Sequence, residues 1–165
     1  MTMAMRFDSR STRGDMREPY SYRSDPEVPA FPDDRPIIIF DGYCALCSGW
    51  ARFVLRHDLQ GIYRLLPAQS PLGRALNIHY GLDPEDYETN ILLRGGIAWF
   101  KSEGSIRMAE GLGMPWSLPG GAFRILPCPI RDRLYELIAR NRLRLFGKRE
   151  TCFVPDRNYQ DRFLA

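Results

Sequence analysis

The chain has 165 residues, 44% hydrophobic and 26% charged, enough for one domain with a real core and too apolar to be disordered throughout. Its formal charge of +3 sits late in the sequence: six Arg face seven acids over 1–35, eight basic face eight acidic residues over 36–129, and nine face five from 130 onward. An excess this small does not imply nucleic acid, the N-terminus lacks the apolar run of a secretory signal, and no stretch is long enough to span a membrane. Four unevenly spaced cysteines, at 44, 47, 128 and 152, are too few for a disulfide scaffold and suit a reducing compartment. The expectation is a cytoplasmic protein that binds neither membrane nor nucleic acid.

Residues 1–35 mix Arg, Asp, Ser, Met and Pro without period and read as a disordered N-terminal tail, with too many acids for a transit peptide. The domain follows from Pro36. Ile37-Ile38-Ile39-Phe40 reads as a buried strand, and Ser48 to His57 as a helix. After Asp58-Leu59-Gln60-Gly61, residues 62–66 alternate like a second strand, and 72–80 form a short helix closed by Gly81. Residues 89–94 and 97–101 are two strands joined by Gly95-Gly96, a hairpin signal, and Glu103 to Leu112 can form a helix. A short helix is expected near 116–126. A longer one spans 129–146, with Ile130, Leu134, Leu137, Ile138 and Leu145 at helical spacing and Gly147 as its stop. That stripe is expected to pack on the core, leaving Arg131, Arg133, Arg140, Arg142 and Arg144 mostly in solvent. Residues 156–165 read as a C-terminal tail.

Strand, helix, strand, helix, hairpin, helix is the order of a thioredoxin-like core. It predicts an α/β fold: a four-stranded mixed sheet flanked by helices, its first two strands parallel, with a C-terminal helical extension from about 116. The cysteine pair would then lie at the carboxyl end of the first strand, where open α/β sheets place their reactive groups.

Three-residue spacing brings Cys44 and Cys47 close enough for a short disulfide. Amides and the helix dipole at a helix start stabilise a thiolate. Cys44, nearer that start, is the expected attacking thiolate, and Cys47 the thiol that resolves a mixed disulfide. Asp41 is read either as a helix cap or as a base beside Cys47. No cofactor or metal is needed for such exchange, because the cysteine pair carries the electrons. The alternative is a non-catalytic protein whose cysteines hold zinc or merely pack, with the basic helix as an interaction surface; Cys128 and Cys152 lack knuckle spacing for zinc. Cys152 is either a third redox thiol or a structural residue, and His57 and His79 stand too far apart in sequence for a ligand pair.

Asp41-Gly42-Tyr43-Cys44-Ala45-Leu46-Cys47, together with Tyr135 to Arg142 and Phe146-Gly147-Lys148-Arg149-Glu150-Thr151-Cys152 with Pro155, resembles the DCC family of predicted thiol-disulfide oxidoreductases. The likeness spans roughly residues 36–155. It implies a thioredoxin-like fold and dithiol exchange with a protein or small-molecule disulfide. The pair between the cysteines is Ala45-Leu46 where thioredoxins have Gly-Pro, and no proline precedes the third strand, where Glu88-Thr89-Asn90 stands.

Overall fold

The computed structural model describes residues 18–87 and 89–164. In chain order the elements are β1 (Ile37–Phe40), α1 (Ala45–His57), β2 (Arg64–Pro67), α2 (Pro71–His79), β3 (Ile91–Arg94), β4 (Ile97–Trp99), α3 (Lys101–Gly111), α4 (Ser117–Phe123) and α5 (Cys128–Phe146). Each expected element is present, its ends shifted by a few residues. The strands form one mixed sheet in the order β2-β1-β3-β4. β1 runs parallel to β2 and antiparallel to β3, and β3 pairs antiparallel with β4. This is the predicted thioredoxin-like arrangement.

β1 is central and covered on both sides, which is why four apolar residues in a row form it. Ile37 and Ile39 pack with Leu66, Leu76, Ile91 and Leu93 on one face, while Ile38 meets Val54, Tyr63, Leu92 and Met108 on the other, as the two-residue period of a strand requires. The β3–β4 turn uses Gly95 and Gly96, both at positive φ (58° and 76°), the backbone that a tight hairpin demands and side chains resist.

Helix α2 shows how closely the layers fit. Ser70 caps it by accepting the Gly73 amide at 3.1 Å, and Pro71 occupies its first turn. A Cβ on Gly73 would stand 2.3 Å from the Pro67 carbonyl oxygen and 2.8 Å from Ala68. Gly73→Ala is therefore expected to cost about 1–3 kcal/mol in thermal unfolding. Gly49→Ala, inside α1 with nothing within 4 Å, is expected to add about 0.5–1 kcal/mol. Equal effects from the two would refute this account of α2.

Three features differ from expectation. Residues 1–17 of the expected N-terminal tail lie outside the described residues, but 18–35, though largely exposed, are anchored to the core: Tyr22 is buried in the cluster of Ile37 and Leu76, with Val28 and Phe31 against it. His79, given no role from sequence, holds this segment through Asp25 at 2.6 Å and Ser21 at 3.0 Å. The C-terminal residues are docked as well. The Leu164 amide donates to the Leu65 carbonyl at 2.9 Å, so residues 163–164 cover the open edge of β2. Arg162, buried, pairs with buried Asp58 and donates to the Tyr63 carbonyl at 2.8 Å.

The third difference concerns α5, whose apolar stripe does not face the core. Ile130, Leu134, Leu137, Ile138 and Leu145 are between 46% and 64% exposed, whereas Asp132 and Arg142 are buried. The helix meets α3 through polar pairs instead: Lys101 with Glu136 at 2.6 Å, Ser102 with Asp132, and Glu103 with Arg131 at 3.5 Å. Arg131 and Arg142, expected in solvent, thus face inward. A stripe at helical spacing shows that a helix has two faces; which face is buried depends on partners distant in sequence.

Candidate active site

The chain leaves β1 through Asp41 and Gly42. One Asp41 carboxylate oxygen accepts the Tyr43 amide at 2.9 Å and the Gln69 side-chain amide at 2.7 Å. The Gly42 amide donates to the other end of Gln69 at 3.0 Å, and Ser48 donates to the Gly42 carbonyl at 3.1 Å. Asp41 thus folds the turn before the helix and does not cap the helix. The cap of α1 is Cys44, whose sulfur accepts the Cys47 amide at 3.3 Å.

The thiols of the pair are driven apart in acidity. Hydrogen bonding from the Cys47 thiol, helped by the Cys47 amide and the positive charge of Arg142, holds Cys44 down at about 6 against burial and the Asp41 carboxylate. Cys47 is pushed far up, first because it donates to Cys44 and then by burial. The arrangement is a thiolate at the helix start with a neutral thiol beside it, the state suited to nucleophilic attack followed by resolution.

Arg142, from α5, is the site residue that sequence reading missed. It stands 3.6 Å from Asp41 and 3.7 Å from Asp86, and its Nε has no hydrogen-bond partner among the described residues. Two sequence signals bore on it: its place at the end of the Tyr135–Arg142 block that resembles the DCC family, and a second stripe on α5, Asp132, Tyr135, Ala139 and Arg142 at alternating three- and four-residue steps, less conspicuous than the leucines.

Access is divided between the two cysteines. Cys44 is 0% exposed because the segment after α5 lies along it: the Ala45 amide donates to Gly147 at 3.3 Å, Arg149 to the Tyr43 carbonyl at 2.7 Å, and Phe153 to that of Gly42 at 3.0 Å. Cys47, 7% exposed, lines a cavity with Trp50, Thr89 and Asn90. Cys152 packs against Gly42, where a Cβ would stand 2.5 Å from its sulfur; burial pushes its thiol up. Cys128 opens α5. Among the described residues no three His, Cys, Asp or Glu side chains gather as a metal-ligand set, so the four-thiolate arrangement considered from sequence is not formed. No helix among them is long and apolar enough to cross a membrane.

A model of the DCC1-like thiol-disulfide oxidoreductase family matches residues 38–148. The chain belongs to this family. It is 33% identical over 128 residues to the uncharacterized protein YuxK of Bacillus subtilis (strain 168), a match covering 78% of this chain and 93% of that protein. It is likewise 33% identical over 120 residues to the chloroplastic DCC family protein At1g52590 of Arabidopsis thaliana, across 73% of this chain and 70% of the relative. No solved structure matches it. The DCC1-like span takes in Asp41, both cysteines of the pair and Arg142, and ends at Lys148, so Cys152 and Arg162 fall outside it.

Proposed function

We propose that this chain is a thiol-disulfide oxidoreductase that works through Cys44 and Cys47. The observation that carries the reading is the cysteine pair at the start of α1, where the Cys44 sulfur caps the helix by accepting the Cys47 amide at 3.3 Å; this setting holds the Cys44 thiol down at about 6 and pushes Cys47 up. The Cys44 thiolate attacks one sulfur of a substrate disulfide, forming a mixed disulfide and releasing the other sulfur as a thiolate. Cys47 then gives up its proton, which the departing thiolate can take, and attacks the Cys44 sulfur. The second substrate thiolate leaves, the substrate is reduced by two electrons, and Cys44 and Cys47 become a disulfide. Asp41 shapes the turn and, with Arg142, sets the local charge.

Attack requires the Gly147–Lys148 segment to part from Tyr43–Ala45. Gly147, at φ 86° with nothing within 4 Å of a would-be Cβ, is the natural pivot. The substrate is a protein or small-molecule disulfide, and a reducing cytoplasm, where such a pair is returned to dithiol, is the proposed setting.

The test is a redox titration in glutathione buffers with thiols trapped and counted by mass, on the wild type and on Cys44→Ser and Cys47→Ser. The expected result is one two-electron transition between about −120 and −270 mV that vanishes in both variants. Absence of a Cys44–Cys47 disulfide at every poise would refute the proposal.

A further inference from the structure

The face of α5 left out of the core borders the cysteine site. The cavity at Cys47 measures about 190 Å3, with Leu46, Trp50, Tyr87 and Ile138 in its wall. A second, of about 340 Å3, lies between α3, α4 and α5 against Ile106, Pro119, Phe123, Leu134 and Ile138. Trp50, Ser105, Tyr135 and Ile138 line both. The two cavities therefore form one groove that starts at a thiol and runs outward over apolar surface, with Phe123, Leu134 and Ile138 roughly half exposed.

We propose that this groove binds an extended polypeptide substrate with apolar side chains next to its cysteine and acidic residues beyond them. The inference rests on the thiol-disulfide reading of the site and names its substrate class. Continuity is the first argument: an occupant that reaches the Cys47 end holds its own sulfur beside the pair, where Cys44, which lines neither cavity, attacks it once the Gly147–Lys148 segment parts. The second is that the hydroxyl groups in the walls are already committed within the protein, while the two arginines there, Arg131 and Arg142, keep nitrogens without a hydrogen-bond partner among the described residues and so favour carboxylates. Ser102 bonds Asp132, Ser105 bonds the Lys101 carbonyl at 3.2 Å, Tyr135 meets Thr89 and the Asn90 amide at 3.2 Å, and Arg131 pairs with Glu103. Apart from those arginines, what the walls offer is apolar contact along a length, which suits alternate side chains of an extended chain better than a small polar disulfide such as glutathione disulfide. Charge is the third argument. Arg140, exposed, lines a neighbouring cavity that shares Thr89, Tyr135 and Ala139 with the one at Cys47, and Lys148, exposed, forms a backbone bridge to Cys44, so positive charge at the cysteine end of the groove complements acidic flanks.

The test uses the full-length reduced protein and ten-residue peptides whose single cysteine is capped as a mixed disulfide with thionitrobenzoate, so that attack releases a chromophore. One peptide carries Leu and Phe beside the cysteine and Glu outside them, a second replaces Leu and Phe by Ser, and a third replaces Glu by Lys. The first is expected to react about tenfold faster than the second and faster than the third, with the last difference shrinking in high salt. Leu134→Ser and Ile138→Ser should bring the first-to-second ratio toward one, while Leu59→Ser, exposed and outside the groove, leaves it as in the wild type. Equal rates for the first two peptides, or a ratio that survives both groove variants, overturns the inference but not the redox chemistry. Failure to react with any peptide or with glutathione disulfide overturns both. Sedimentation of the same samples covers the other occupants: a wild-type dimer that becomes monomeric in Ile138→Ser, or binding to anionic vesicles lost in that variant, assigns the groove elsewhere and overturns the inference too.

Discussion

Replacing Cys47 by alanine is expected to move the Cys44 thiol from about 6 toward the ordinary cysteine value near 8.5, because hydrogen bonding from the Cys47 thiol is the largest influence holding it down. Alkylation of Cys44 by iodoacetamide, followed against pH in the Cys128→Ser/Cys152→Ser background, reads this directly. With Cys47 in place the rate rises with pH to a half-maximum near 6 and then levels. In the Cys47→Ala variant it should keep rising past pH 8, and at pH 6 it should be lower by roughly tenfold or more, as the thiolate fraction falls. Parting of the covering segment scales the rate at every pH and leaves the midpoint in place. Arg142→Gln should shift the midpoint the same way by less, since that charge is the weakest of the causes. An unchanged midpoint in Cys47→Ala would refute the hydrogen-bonded thiolate.

The same pair sets the sign of a pH effect on the stability of the reduced protein. Between about 6 and about 8.5, Cys44 has lost its proton in the folded state while an unfolded thiol still holds it, so stability rises with pH and is lost as pH falls through 6. Above about 8.5 the slope reverses, because the raised Cys47 keeps a proton that the unfolded chain releases.

Arg162→Ala is expected to be the most destabilising substitution at the C-terminus, by about 3–5 kcal/mol, because it strands the buried carboxylate of Asp58 without its partner. At about 2–4 °C per kcal/mol for a chain of this size, the midpoint of thermal unfolding should drop by roughly 6–20 °C. The Asp58 oxygens also accept the Ile62 and Tyr63 amides at 3.1 and 2.8 Å, so the loss would loosen the entry into β2. A loss under about 1 kcal/mol would mean that the pair is not formed in solution, since only exposed ion pairs are that weak.

The sequence by itself determined the elements and their order. Four consecutive β-branched and aromatic residues between Pro36 and Asp41-Gly42 read as a doubly covered strand, Gly95-Gly96 marks a turn that side chains resist, and a cysteine pair between strand and helix lands where a thiolate is stabilised. Local backbone preference and periodicity carry that information, and both act within a few residues. Only the tertiary structure decided the rest. It turned α5 so that its leucines look outward and Asp132 and Arg142 inward, because Ser102 supplies a partner for Asp132 and Asp41 and Asp86 face Arg142. It laid Gly147–Phe153 over Cys44 and closed the β2 edge with Phe163 and Leu164. On α5 buried charges met counter-charges and the apolar stripe was left outside, while over Cys44 and along β2 backbone amides found carbonyls. The free energy of burying a charge depends on where its counter-charge sits in space, and no local pattern records that distance.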